Sequence, residues 1–189
     1  TMRALNDLKA QGKIRAIGVS NFSRAELEEA ARFGRIDSLQ PPYSLFWRQV
    51  EKDALPYCAK KGMTVLAYSS MAQGILAGRF GAEPRFADGD HRKGHRLFQP
   101  DLYPQVLQAV ENLKPIAQRN GITLSQLALA WVLSHPGVCA IAGARSAAQA
   151  AENAGAMKVA LSASDLAEME AIGRTVTDRL DDNPVQWKF

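Results

Sequence analysis

Cysteine is almost absent from this chain, with Cys58 and Cys139 the only two. Neither belongs to a CxxC pair or stands beside a paired histidine, so a disulfide framework is excluded and both read as reduced, inert thiols. Long apolar runs are also missing. The longest candidates, residues 127–133 and 137–144, fall far short of the roughly 18 residues that cross a bilayer, which excludes a membrane-spanning helix. The first residues carry Arg3, Asp7, Lys9 and Lys13 with no apolar stretch between them. No signal peptide is readable there, and the expected location is cytoplasmic. Neither GxGxxG nor the GxxxxGK(S/T) pattern occurs, so neither the Rossmann fingerprint nor the P-loop is present. Basic residues cluster densely only at 85–96, where Arg85, Arg92, Lys93 and Arg96 mix with Asp88, Asp90 and glycine. That composition reads as a solvated loop, and without an aromatic ladder or helix-turn-helix spacing it does not read as a nucleic-acid site.

What is present is the balance of an ordinary globular domain: 189 residues, 47% hydrophobic and 22% charged, read as a single domain over 1–189. The net charge of +4 decides little about partners. Short apolar runs alternate with helical patterns. Strands are expected at 14–19, 36–40, 63–68 and 138–142, with helices at 24–33, 50–61, 105–119, 124–134, 147–154 and 163–172. Continuous apolar runs predict a parallel sheet buried on both faces. Residues 72–104 read as a long loop after the third strand, and 174–189 as a C-terminal tail. Glycines 34, 62, 121 and 173 stand where helical patterns stop.

Three helices open on a hydroxyl N-cap with an acid or amide three residues on and an apolar pair bracketing the turn. The sets are Phe22, Ser23, Glu26 and Leu27; Ile122, Thr123, Gln126 and Leu127; Leu161, Ser162, Asp165 and Leu166. These positions are explained structurally and need no chemistry. Ser146 and Gln149 repeat the spacing, but Arg145 and Ala150 stand at the apolar positions, so Arg145 answers to some other requirement.

In parallel α/β folds ligands bind beyond the carboxyl ends of the strands. Here those ends are polar: Ser20-Asn21, Gln40 before two prolines, Tyr68-Ser69-Ser70, and Gly143-Ala144-Arg145-Ser146. Taken singly, Asn21 reads as a turn former, Gln40 as a bridge between loops and Tyr68 as a core ring with a wet hydroxyl. The fourth end combines a glycine, an arginine fork and a helix N-terminus, which outlines a phosphate site. After Tyr68, Gly74 and Gly78 permit close backbone approach to a pyrophosphate, and Arg79 can pair with it.

The segments GKIRAIGVSNFS (12–23), DSLQPPYSLFWR (37–48), VLAYSSMAQGILAGRF (65–80), LSQLALAWVLSHPGV (124–138) and IAGARSAAQAAENAGA (141–156) together resemble the carboxyl-terminal half of aldo-keto reductases. The resemblance runs from Thr1 to about Gly173. It implies a (β/α)8 barrel of the TIM type, of which this chain is about half, strands five to eight with their helices, carrying NADP(H) across its C-terminal face. By that resemblance Ser20, Asn21 and Gln40 contact the carboxamide and Tyr68 stacks on the nicotinamide. Ser69, Met71, Gly74, Leu76, Gly78 and Arg79 match the segment over the pyrophosphate. Gly143, Arg145, Gln149, Glu152 and Asn153 match the pocket for the adenosine and its 2′-phosphate. Ser70, Met71, Ala77 and Ala142 replace the family's usual proline, leucine, serine or threonine, and proline.

The family's catalytic aspartate, tyrosine, lysine and histidine lie at the ends of its first four strands, and this chain begins after the fourth. A full barrel takes about 250 residues. The resemblance therefore implies NADPH-dependent reduction of aldehydes or ketones by a full-length parent, with this chain inactive and poorly stable alone. The implied partners are a small carbonyl substrate and either the missing half or a second copy, with no nucleic acid and no membrane. The alternative is a noncatalytic nicotinamide-nucleotide-binding or regulatory module.

His91 and His95 have the i, i+4 spacing of a helical zinc pair, but Gly89 and Gly94 argue against a helix there. His135 reads as a helix cap. Tyr43, Phe46 and Trp47 read as packing between loops rather than as substrate contacts.

Overall fold

The computed structural model describes residues 1–183; the part of the expected tail at 184–189 lies outside them. Four strands, β1 (Gly18–Ser20), β2 (Ser38–Gln40), β3 (Thr64–Ala67) and β4 (Val138–Ala140), form one sheet in chain order. Every pairing is parallel, so the α/β fold with a parallel sheet is what forms. The helices are α1 (Met2–Ala10), α2 (Arg24–Ala31), α3 (Ala54–Lys61), α4 (Tyr103–Arg119), α5 (Leu124–Leu133), α6 (Ala147–Gly155) and α7 (Ala163–Thr177). Helix α7 occupies 174–177, which the sequence reading assigned to the tail.

The strands are shorter than expected. Only Gly18 and Val19 of the expected 14–19 belong to β1, because the Ile17 amide donates to Asp37 Oδ2 at 2.9 Å instead of to a neighbouring strand. Helix α1 was not anticipated at all. Its N-cap Thr1 makes no side-chain cap bond, and its apolar stripe of Met2, Leu5 and Leu8 is only partly covered. It is held instead by side chains: Asn6 Nδ2 donates to the Phe33 carbonyl and Lys9 pairs with Asp37, each at 2.6 Å.

The register corrects the expectation of a sheet buried on both faces. Val19, Leu39, Val65 and Val138 share one row across the sheet, with Ala67 and Ala140 two residues further along. This face lies against the helices, and Leu39, Val65 and Ala67 are fully covered. The opposite face carries Gly18, Ser20, Ser38, Gln40, Thr64, Leu66 and Cys139, and none of them is buried. The apolar residues of these runs therefore serve the helix side. What the other face presents is mostly small and polar.

Beyond β2 the chain enters the most completely buried part of the core. Tyr43, Leu45, Phe46 and Trp47 are all at most 2% exposed, which supports packing over substrate contact. Several buried polar groups there are paired, offsetting the cost of burial, although Ser44 Oγ, Trp47 Nε1 and Arg48 Nη1 have no hydrogen-bond partner among the described residues. Arg48 bridges Glu51 at 2.8 Å and Glu170 of α7 at 2.7 Å, with its guanidinium 5.1 Å from the Trp131 ring. The Tyr43 hydroxyl donates to Glu51 at 2.7 Å and Trp131 Nε1 to Glu170 at 3.3 Å. Three separate segments, the turn after β2, α5 and α7, meet on one guanidinium.

Two of the three expected capping boxes close completely, Ser23 with Glu26 and Thr123 with Gln126. At α7 Ser162 accepts from the Asp165 amide, but the Asp165 carboxylate is committed elsewhere, to the Ser162 hydroxyl, Arg119 and Asn120. Gly62 is a left-handed helix stop as expected. Gly173 is not a stop. It lies inside α7, where a Cβ would come within 2.9 Å of both the Leu45 side chain and the Leu45 carbonyl.

Two outcomes follow. Gly173→Ala is expected to lower stability by about 1–3 kcal/mol through overpacking against backbone, read as a reduced urea midpoint. The Ser162 hydroxyl, then Arg119 and Asn120, hold the Asp165 carboxyl down to about 2 from an ordinary 3.8. A depressed carboxyl stabilises the fold above its ordinary value and loses that contribution as pH falls toward the depressed one. Stability is therefore expected to drop between about pH 4 and pH 2, and Asp165→Asn to flatten that part of the curve.

Candidate functional site

Because all strands run parallel, their carboxyl ends share one rim, and the polar residues expected there gather at two connected places. The first is at the ends of β1, β2 and β3. The Gln40 carbonyl accepts both the Ser20 hydroxyl at 2.8 Å and the Asn21 amide at 3.1 Å. Tyr68 is fixed by its backbone, its amide donating to Pro41 O at 3.0 Å and its carbonyl accepting from the Tyr43 amide at 3.1 Å. The Tyr68 hydroxyl reaches across and donates to Asn21 Oδ1 at 3.1 Å. Burial raises the Tyr68 pKa above its ordinary value of 10, so the hydroxyl remains a proton donor throughout the physiological range.

The second place is a groove of about 890 Å³ that opens directly after Tyr68. Ser69, Met71, Gly74 and Arg79 line it together with Gly143, Arg145 and Gln149 from the end of β4 and the start of α6. The segment leading in is bent by left-handed backbone at Ser69 (φ 55°), Ala72 (φ 47°) and Gln73 (φ 59°), followed by Gly74 (φ 92°). Three non-glycine residues in that region store strain of about 1–3 kcal/mol each. The Gln73 side chain donates to Ser69 Oγ at 2.6 Å and braces the bend. Across the groove, Gln149 Oε1 accepts the Arg145 amide at 2.7 Å while the Gln149 amide donates to Ser146 Oγ. That is the local reason for the N-cap spacing at Ser146, and it leaves the Arg145 guanidinium exposed.

The remaining residues carried over by resemblance are placed elsewhere. Leu76 is 1% exposed and packs into the core. Gly78 is a left-handed stop pressed against α5, since a Cβ there would lie 2.9 Å from the Leu124 side chain. Glu152 accepts the Thr123 hydroxyl at 2.8 Å, and its carbonyl accepts from Gln126, which ties α6 to the start of α5. Asn153 donates to the Gly143 carbonyl at 3.2 Å and so shapes the groove wall from behind.

The sequence reading missed Gln73, Phe80 and the 87–92 segment, all of which line the groove. The signal was the basic run at 85–96, read as solvated loop. In the fold, Arg92 pairs with Asp90 and lies 5.0 Å and 5.6 Å from the Phe86 and Phe80 rings, while Phe98 stacks edge-on against both phenylalanines. The loop is anchored at Phe86, Arg92 and His95, while most of its other residues are exposed, as expected. His91 and His95 are not a matched pair, because His91 is exposed whereas His95 is buried with Nδ1 accepting from the Leu97 amide. Among the described residues no group of three histidine, cysteine, aspartate or glutamate side chains is placed to hold a metal ion.

The acids and bases of the groove are unevenly matched. Asp90 is taken by Arg92 and Asp88 by Lys93. Arg79 and Arg145 have no ion-pair partner among the described residues. Two free guanidinia in one concave site fit an anionic ligand with more than one charged group.

Comparison with known proteins agrees with that arrangement. The profile of the Aldo/keto reductase family matches residues 1–174, and the chain belongs to this family. It is similar to the NADH-specific methylglyoxal reductase of Escherichia coli K12, 33% identical over 177 residues, covering 93% of this chain and 54% of that protein. Among solved structures it resembles the glycerol dehydrogenase AKR11B4 of Gluconobacter oxydans, at 32% identity and a TM-score of 0.88, covering 95% of this chain and 55% of that one. An aldo/keto reductase from Klebsiella pneumoniae, solved with NADP and acetate, matches at 30% identity and a TM-score of 0.68, covering 97% of this chain and 56% of that one. The chain spans about half the length of the curated relatives it matches.

The strained entry gives a test. Gln73→Val puts a β-branched residue at φ 59° and is expected to cost about 1–3 kcal/mol, whereas Gln73→Gly relieves the backbone and costs far less. Chemical denaturation of both variants checks the order.

Proposed function

We propose that this chain forms the cofactor-holding part of an NADP(H)-dependent reductase of small aldehydes and ketones, built on about half of a (β/α)8 barrel. The observation that carries the reading is the pair of unmatched arginines, Arg79 and Arg145, lining one groove whose wall includes Ser69, the residue after Tyr68. A pyrophosphate and a further phosphate are the anions such a groove suits. In this reading Arg79, Ser69 and the backbone near Gly74 hold the pyrophosphate, Arg145 and Gln149 the adenosine end, and Ser20, Asn21, Gln40 and Tyr68 the nicotinamide end. The bound cofactor supplies hydride to a carbonyl carbon. The chain's own residues bind and orient: Tyr68 offers a ring face held by backbone bonds on both sides, and the Asn21 amide offers hydrogen-bond donors beside it. The proton-donating tyrosine and its partners belong to strands that the family places before this region, so these residues alone are expected to bind cofactor without turnover.

The choice between NADPH and NADH rests on Arg145, since one relative is NADH-specific and one similar structure holds NADP. A guanidinium without a carboxylate partner favours the ligand with the extra phosphate. Hydrogen bonds to charged groups are worth about 1.5–3 kcal/mol, so Arg145→Ala is expected to weaken NADPH binding by roughly ten- to a hundred-fold while barely changing NADH binding. Titration of tryptophan fluorescence with each cofactor measures this, and equal affinity of the wild-type chain for both would remove the NADPH assignment.

A further inference from the structure

We infer that the Tyr68 hydroxyl is a positioning group: it fixes the side-chain amide of Asn21 so that Asn21 presents its Nδ2 donors to its ligand. The inference rests on the cofactor reading for the identity of the ligand, but its geometric part stands on the protein alone. A primary amide can present either an acceptor or two donors. At Asn21 the orientation is set, because Oδ1 takes the Tyr68 hydroxyl at 3.1 Å and Nδ2 is left as the opposite end of the amide. Nδ2 has no protein partner among the described residues. The backbone gives Asn21 little freedom to rearrange, being held left-handed at φ 59° with its amide on the Gln40 carbonyl at 3.1 Å.

The placement of Tyr68 does not depend on its hydroxyl. Its amide and carbonyl are bonded to Pro41 and Tyr43, so Tyr68→Phe keeps the ring in place and removes one constraint, the one on Asn21. A ring fixed by backbone beside an amide fixed by the ring's own hydroxyl separates two tasks in one residue. The aromatic face supports a planar ligand, and the hydroxyl selects which atom of that ligand faces Asn21. The atom must be an acceptor, such as the oxygen of an acyl or carboxamide substituent on a flat ring.

Two measurements on the full chain test this. In the ligand-free protein, the ¹⁵N-labelled Asn21 side-chain amide is followed by NMR, with the pair assigned from Asn21→Asp. Tyr68→Phe is expected to shift and broaden that pair while leaving distant side-chain amides unchanged. An unmoved pair overturns the positioning role, whether or not cofactor binds. In the second measurement, NADP⁺, its 3-acetylpyridine analogue and 2′,5′-ADP are titrated. The acetyl group keeps the acceptor and lacks the amide donors, so the wild type is expected to bind the analogue within about two-fold of NADP⁺.

Tyr68→Phe is expected to weaken NADP⁺ by about five-fold, the worth of one ordinary hydrogen bond, and to leave 2′,5′-ADP unchanged. The double variant Asn21→Ala with Tyr68→Phe is expected to bind no more weakly than Asn21→Ala alone. Independent, additive losses, or an equal loss for 2′,5′-ADP, would overturn the proposal. Absence of any NADP⁺ binding by the wild type would defeat the cofactor reading instead, and the NMR result would still decide the role of the hydroxyl.

Discussion

Four parallel strands laid side by side in chain order must deliver all their carboxyl ends to one edge of the sheet. Each return path runs through a helix on the same side, so that side becomes the apolar one and the rim is left to loops. The row Val19, Leu39, Val65 and Val138 carries this constraint in side chains. With that row packed under helices, Ser20, Asn21, Gln40, Tyr68 and Ser69 beyond the strand ends are left uncovered or only partly covered. The arginine groove and the Asn21–Tyr68 pair are both consequences of that alignment.

The legibility of this arrangement in sequence varied with the reach of the interaction involved. Capping at Ser23 and Thr123 and the stop at Gly62 were readable because each is settled within a few residues. The identity of the rim residues was readable because a polar group directly after an apolar run has few structural uses. Where tertiary partners decide, the reading failed. Asp165 has the spacing of a capping box but spends its carboxylate on Arg119, 46 residues away. Gly173 follows an apparent helix end, yet what requires a glycine there is the Leu45 carbonyl. Helix α1 has no side-chain cap and only a partly covered apolar stripe, and its polar anchors are Phe33 and Asp37.

The uncovered sheet face was misjudged for a related reason. A three-residue strand is too short for period-two alternation to show, so a run such as AIGVS reads as uniformly apolar. The register divides it cleanly, with Val19 toward the helices and Gly18 and Ser20 away from them. The loop at 85–96 is largely exposed, as its charge density suggested, but the anchoring of Arg92 was not visible there because it depends on Phe80 and Phe86. Arg92 is held by two aromatic rings and a carboxylate, an arrangement that composition alone does not distinguish from a solvated strand of charges.

The guanidinium of Arg48 also ties together parts of the chain that are far apart in sequence. Glu51 is three residues away, whereas Glu170 lies near the end of the sequence, and the Gln49 side chain reaches the Asp181 carbonyl 132 residues on. Contacts of such separation form late, after loop closure has been met by other interactions. Before α7 docks, Arg48, Glu51 and Trp131 form only part of the cluster that Glu170 completes. The turn after β2, which meets Tyr68 through Tyr43, is thereby braced by α7 as well as by its own sheet.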